Sequence, residues 1–70
     1  MKSYVPFRQY LSEKGMWLDW NDEDQEYDVM SSKSYVNEVV VSLPARVVRH
    51  DYGQAVEIVS TALSILDSFN

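Results

Sequence analysis

From Tyr52 to about Ser68 the apolar residues return with the period of an α-helix and cover half of its circumference. Tyr52, Ala55, Val56, Ile58, Val59, Ala62, Leu63, Ile65, Leu66 and Phe69 share one half of the helical wheel. Gln54, Glu57, Ser60, Thr61, Ser64, Asp67 and Ser68 share the other. A helix resting on a single neighbour needs an apolar stripe only about 100° wide. This one is expected to pack on more than one neighbour. Ile58 and Ile65, at one flank, are the candidates for facing a second chain. Asp51 is a suitable N-cap, and Gln54 falls at the capping-box position behind it.

The rest of the core must come from the residues before that helix. Seventy residues make a single domain, 1–70, near the lower size limit for one hydrophobic core. A core of this size supplies only about 3–5 kcal/mol. There is no cysteine, which closes the disulfide route along with cysteine-ligated zinc and iron–sulfur sites. Apolar residues make up 46% of the chain and aromatics 13%, too many for an intrinsically disordered segment. Self-association or a partner is the remaining source of stability, and the over-wide apolar helix on so short a chain makes a homodimer the expectation.

Ser3 to Lys14 read as a short helix with Ser3 as N-cap and Pro6 in the first turn, where its missing N–H costs nothing. Phe7, Tyr10 and Leu11 form its apolar stripe, Lys14 suits the C-terminal dipole, and Gly15 can take the left-handed stop conformation. The period then changes to two. Met16, Leu18 and Trp20 alternate with Trp17 and Asp19, as in a half-buried strand. Asn21 to Gln25 read as a solvated turn, Tyr27 to Met30 as a returning strand, and Ser31 to Ser34 as a connection. Tyr35 to His50 is rich in β-forming valine, interrupted at Pro44, where a bend on an edge strand or a turn between two strands is expected. The fold class implied is α+β: a short N-terminal helix, a small, mainly antiparallel sheet of three or four strands, and a long amphipathic C-terminal helix packed on one face.

Net charge is −5, and one segment carries it. Six carboxylates (Asp19, Asp22, Glu23, Asp24, Glu26 and Asp28) fall within ten residues, while the six Lys and Arg elsewhere outnumber the five remaining acids. That balance argues against direct nucleic-acid binding, which needs clustered Lys and Arg on phosphates. No stretch approaches the roughly 20 consecutive apolar residues that span a bilayer, and Met1 to Pro6 lacks a signal-peptide pattern. A cytoplasmic protein with no membrane association is expected.

Chemistry-bearing constellations are absent from the sequence. Asp19, Asn21 and Glu23 have suggestive calcium-loop spacing, but Asp24 stands where the loop needs glycine. His50 is the one histidine, and no Gly-x-Ser-x-Gly nucleophile turn accompanies it. It reads as a strand-end residue, in a modest basic cluster with Arg46 and Arg49. Neither an enzyme nor a cofactor is expected. A binding module is: an acidic surface of Asp19, Asp22, Glu23, Asp24 and Glu26 docking another protein through a basic surface, as a regulator or inhibitor would. Alternation puts Trp20 on the core face with Met16 and Leu18 and leaves Trp17 exposed as the aromatic anchor of that surface.

Val39 to Val48, with Leu43 and Pro44 at the centre, resembles the strand-to-helix transition of ribbon–helix–helix repressors. The resemblance spans ten residues. It implies a dimer sharing a ribbon around Val39 to Val41, a helix opened by Pro44, and DNA binding. The chain departs from the pattern at Asp51 and Gln54, where apolar residues belong, and its strand lacks the basic residues that read a major groove.

Overall fold

The first change of backbone geometry comes at Gly15, whose φ of 74° lies in the left-handed region and ends the opening helix. The computed structural model describes residues 2–33 and 36–68. Its elements are α1 (Tyr4–Glu13), β1 (Met16–Asn21), β2 (Glu26–Lys33), β3 (Val36–Pro44), α2 (Ala45–His50) and α3 (Tyr52–Ser68). The architecture is α+β, with one three-stranded antiparallel sheet in the order β1-β2-β3.

All three helices contribute to one core on one face of the sheet. Phe7 and Leu11 of α1, Met16, Val29 and Leu43 of the strands, Val47 and Val48 of α2, and Ala55 and Val59 of α3 are buried together. Phe7 and Leu11 are the residues that the apolar stripe of α1 predicts. Each fully buried side chain of this size contributes about 1.5–3 kcal/mol. The broad apolar face of α3 meets β3, α2 and α1, as its width implies. Beyond Leu63, however, the helix outruns that cover, and Ile65 and Leu66 are exposed.

Four sequence expectations need correction. Ser31 to Lys33 continue β2 rather than forming a connection. Ser34 and Tyr35, expected nearby, and Phe69, expected on the apolar half of α3, lie outside the described residues. At Pro44 the chain neither bends within a strand nor turns between two: β3 ends there and α2 begins at Ala45, so His50 closes a helix instead of a strand. Pro44 has no N–H for a ladder, and its φ of −58° leads into helical geometry. Val47 and Val48 are β-forming by preference, but their burial in the core outweighs a preference worth less than about 1 kcal/mol.

The fourth correction concerns the side chain of Ser3. Ser3 stands at the N-cap position of α1 as expected, its carbonyl accepting from the Phe7 N–H at 2.9 Å. Its backbone is helical (φ −111°, ψ −4°), and its side chain makes no cap bond to α1. Instead the buried hydroxyl donates to the Val48 carbonyl at 2.7 Å, and the Ser3 N–H donates to the Arg49 carbonyl at 2.8 Å. A six-residue helix cannot bond its own last carbonyls. Ser3 therefore caps the C-terminus of α2 from 45 residues away. Asp51 caps α3 as expected, accepting a 3.1 Å hydrogen bond from the Gln54 N–H. No helix among the described residues is long and apolar enough to cross a membrane.

Candidate functional site

Strand alternation divides the sheet into a face under the helices and a face without them. Residues paired across strands share a face. The register places Trp17, Met30 and Val39 in one row across the outer face, with Asp19, Asp28 and Ser42 in the next. Asn21, Glu26 and Pro44 form the third row. None of these nine residues is buried. An apolar row therefore lies directly beside an acidic one on the open side of the sheet.

Val39 reaches that row through a β-bulge. Val29 pairs with Val41 but Met30 pairs with Val39, which leaves Val40 as the extra residue of β3. Val40 and Val41 both pack towards the core, while Val39 pairs with Met30, is 54% exposed, and also borders a concavity shared with Leu63 and Leu66 of α3.

Asp19 and Asp28 stand directly opposite one another on neighbouring strands. Like charges in that position repel and destabilise the pair. Ser42 moderates this by donating a 2.7 Å hydrogen bond to Asp28 Oδ1.

The remaining expected acids sit at the end of the same hairpin. Asp22, Glu23 and Asp24 occupy the exposed turn, and Glu26 opens β2 half-buried. Asn21 Oδ1 accepts from the N–H groups of Glu23 (3.1 Å) and Asp24 (3.3 Å), a side-chain-supported turn. Gln25 closes it at φ 55°, with its amide donating to the Asp22 carbonyl at 2.8 Å and to Asp22 Oδ1 at 3.1 Å. The acidic turn is thus ordered by its own polar side chains. Among the described residues no group of three or more His, Cys, Asp or Glu could hold a metal ion.

One of the two tryptophans departs from expectation. Trp17 is exposed on the outer face, as alternation predicts, at 41%. Trp20 does lie on the helix side with Met16 and Leu18, yet it is 40% exposed and not part of the core. The helices do not cover its end of β1. Trp20 meets Tyr27 edge-on, with ring centroids 4.9 Å apart, and the Arg49 guanidinium lies 5.9 Å from its ring.

Ile58 and Ile65 share one groove, as their common flank implies. With Val41 and Ala62 they line a concavity of about 400 Å³ bordered by Gln54, Glu57 and Thr61. Ile58 is half-buried against the core and Ile65 is 53% exposed. The groove adjoins β3, which is an edge strand.

Met30, Asp28 and Val39 belong to the outer face, though sequence reasoning did not place them among the partner-binding residues. Alternation in β2 carries the signal for the first two, because they face away from Tyr27 and Val29. No sequence signal locates Val39, whose side depends on the bulge. Comparison with family models, curated proteins and solved structures returned no match.

Proposed function

We propose that this chain is a non-enzymatic protein-binding module that docks a basic surface of a larger cytosolic protein, as a regulator or inhibitor of it. One observation carries the reading: the row of Trp17, Met30 and Val39 abuts the opposed carboxylates of Asp19 and Asp28 on the uncovered face. Trp and Met are enriched at the cores of protein interfaces. A partner's Arg or Lys between Asp19 and Asp28 would relieve a repulsion that the free chain carries. Asp22, Glu23, Asp24 and Glu26 extend the negative field and would raise the association rate.

The test is affinity capture from host lysate at low and high salt, with Trp17→Ala and Asp19→Asn/Asp28→Asn chains beside the parent. The reading requires one partner retained at low salt, released at high salt, and lost with either variant. Equal retention by all three chains would sink it.

The second partner we propose is another copy of the chain, along the groove of Ile58 and Ile65 and the edge of β3. Ile65, 53% exposed, lies in this groove beside the edge strand β3, an apolar surface that a second copy would cover.

The ribbon–helix–helix resemblance offers a DNA-binding alternative, and the helix beginning after Pro44 favours it. Against it, β3 already pairs with β2 inside the chain, and the open face of the sheet is acidic. The protein-binding reading accounts for more of the surface.

A further inference from the structure

The bonds that Ser3 makes to α2 have a second effect: they bring the chain's opening residues against the end of α2. Lys2, Tyr4 and Val5 there meet Tyr27, Arg49 and His50 around a concavity of about 410 Å³. The chain has eleven carboxylates, and none of them lines this cavity. Lys2, Arg49 and His50 do.

Arg49 is held in place without being neutralised. Its guanidinium lies 5.8 Å from the Tyr27 ring centroid and 5.9 Å from that of Trp20, with one 3.4 Å hydrogen bond from Nη2 to the Tyr27 hydroxyl. Among the described residues no carboxylate pairs with it. A guanidinium has five N–H donors, so most remain available. Both ring contacts are at cation–π distance and consume none of its N–H donors. Tyr4 and Tyr27, half-buried with ring centroids 5.8 Å apart and planes inclined at 51°, and Val5 supply apolar walls. A ligand pocket typically combines such walls with a few placed polar groups, in a volume of about 300–1,000 Å³.

We infer that this cavity binds a small planar anion, an aromatic or heteroaromatic ring bearing a phosphate. The ring would lie against Tyr4, Tyr27 and Val5. The phosphate would accept hydrogen bonds from the Arg49 fork, with Lys2 and His50 as further donors. The site lies on the helix side of the sheet, away from Trp17, so it stands or falls separately from the docking face.

The experiment is amide-resolved NMR titration of the ¹⁵N-labelled chain at low salt with four probes: adenosine 5′-monophosphate, phenyl phosphate, adenosine and inorganic phosphate. The two ring phosphates should give saturable shifts confined to residues 2–5, 27, 49 and 50. Each should bind about tenfold more tightly than adenosine or inorganic phosphate alone. The stronger of the two distinguishes a nucleotide from a simple aryl phosphate as the natural class. Arg49→Gln should weaken the ring phosphates about tenfold, the worth of one charged hydrogen bond, and leave adenosine unchanged. Lys2→Gln, at an exposed position outside every helix and strand, should act in the same direction even if the Arg49 variant unfolds. Shifts scattered elsewhere, inorganic phosphate binding as tightly as phenyl phosphate, or Lys2→Gln without effect would overturn the assignment.

Discussion

The hydroxyl of Ser3 donates a 2.7 Å hydrogen bond to the carbonyl of Val48, inside the core and across 45 residues of chain. It joins the start of α1 to the end of α2. Ser3→Ala should cost about 1–3 kcal/mol in urea denaturation, because the buried Val48 carbonyl loses its partner. Ser3→Asp separates the two roles. An N-cap would accept aspartate without loss. A buried donor facing carbonyl oxygens would not, so Ser3→Asp should destabilise more than Ser3→Ala. The reverse order would mean that Ser3 serves α1 alone.

Gly15→Ala isolates the backbone cost of the helix stop. A Cβ there would meet nothing within 4 Å, so crowding plays no part. The φ of 74° alone should cost about 1–2 kcal/mol, read as a lower urea midpoint with an unchanged m-value. A neutral result would mean that the turn relaxes to another conformation.

Asp19 and Asp28 set stability against binding. Asp19→Asn removes the like-charge contact, and the free chain should gain a few tenths of a kcal/mol in thermal or urea unfolding. The same change should weaken partner capture. Both outcomes together mark carboxylates kept for recognition; lower stability with capture unchanged would mark them as structural.

Ile65 tests self-association more cleanly than Ile58, because Ile58 also packs against the core. Ile65→Gln should turn a dimer into a folded monomer, seen as halved mass in sedimentation with an unchanged circular dichroism spectrum. Adding Ile58→Gln should give the same monomer with somewhat lower stability. A parent chain that sediments as a monomer at high concentration removes the dimer.

The sequence by itself determined the elements whose signals are local. The helical period of Tyr52 to Ser68, the Asp51 cap, the left-handed stop at Gly15 and the alternation of Met16 to Trp20 each depend on neighbours within a few residues. The α+β class and the exposed, acidic hairpin followed from them. Tertiary structure decided what depends on distant partners. Val47 and Val48 are helical because the core receives them there, against their own preference. Ser3 holds the N-cap position of α1, yet its hydroxyl serves α2, because the fold brings the Val48 carbonyl, 45 residues away, within hydrogen-bond reach. Trp20 stays exposed because alternation chooses a face of the sheet but cannot say how far the helices cover it. A bulge at Val40 brings Val39 into register with Met30 and Trp17 and so completes the apolar row. Local patterning follows from backbone geometry, whereas burial, capping across the fold and the meeting of Arg49 with Tyr27 exist only once the layers have packed.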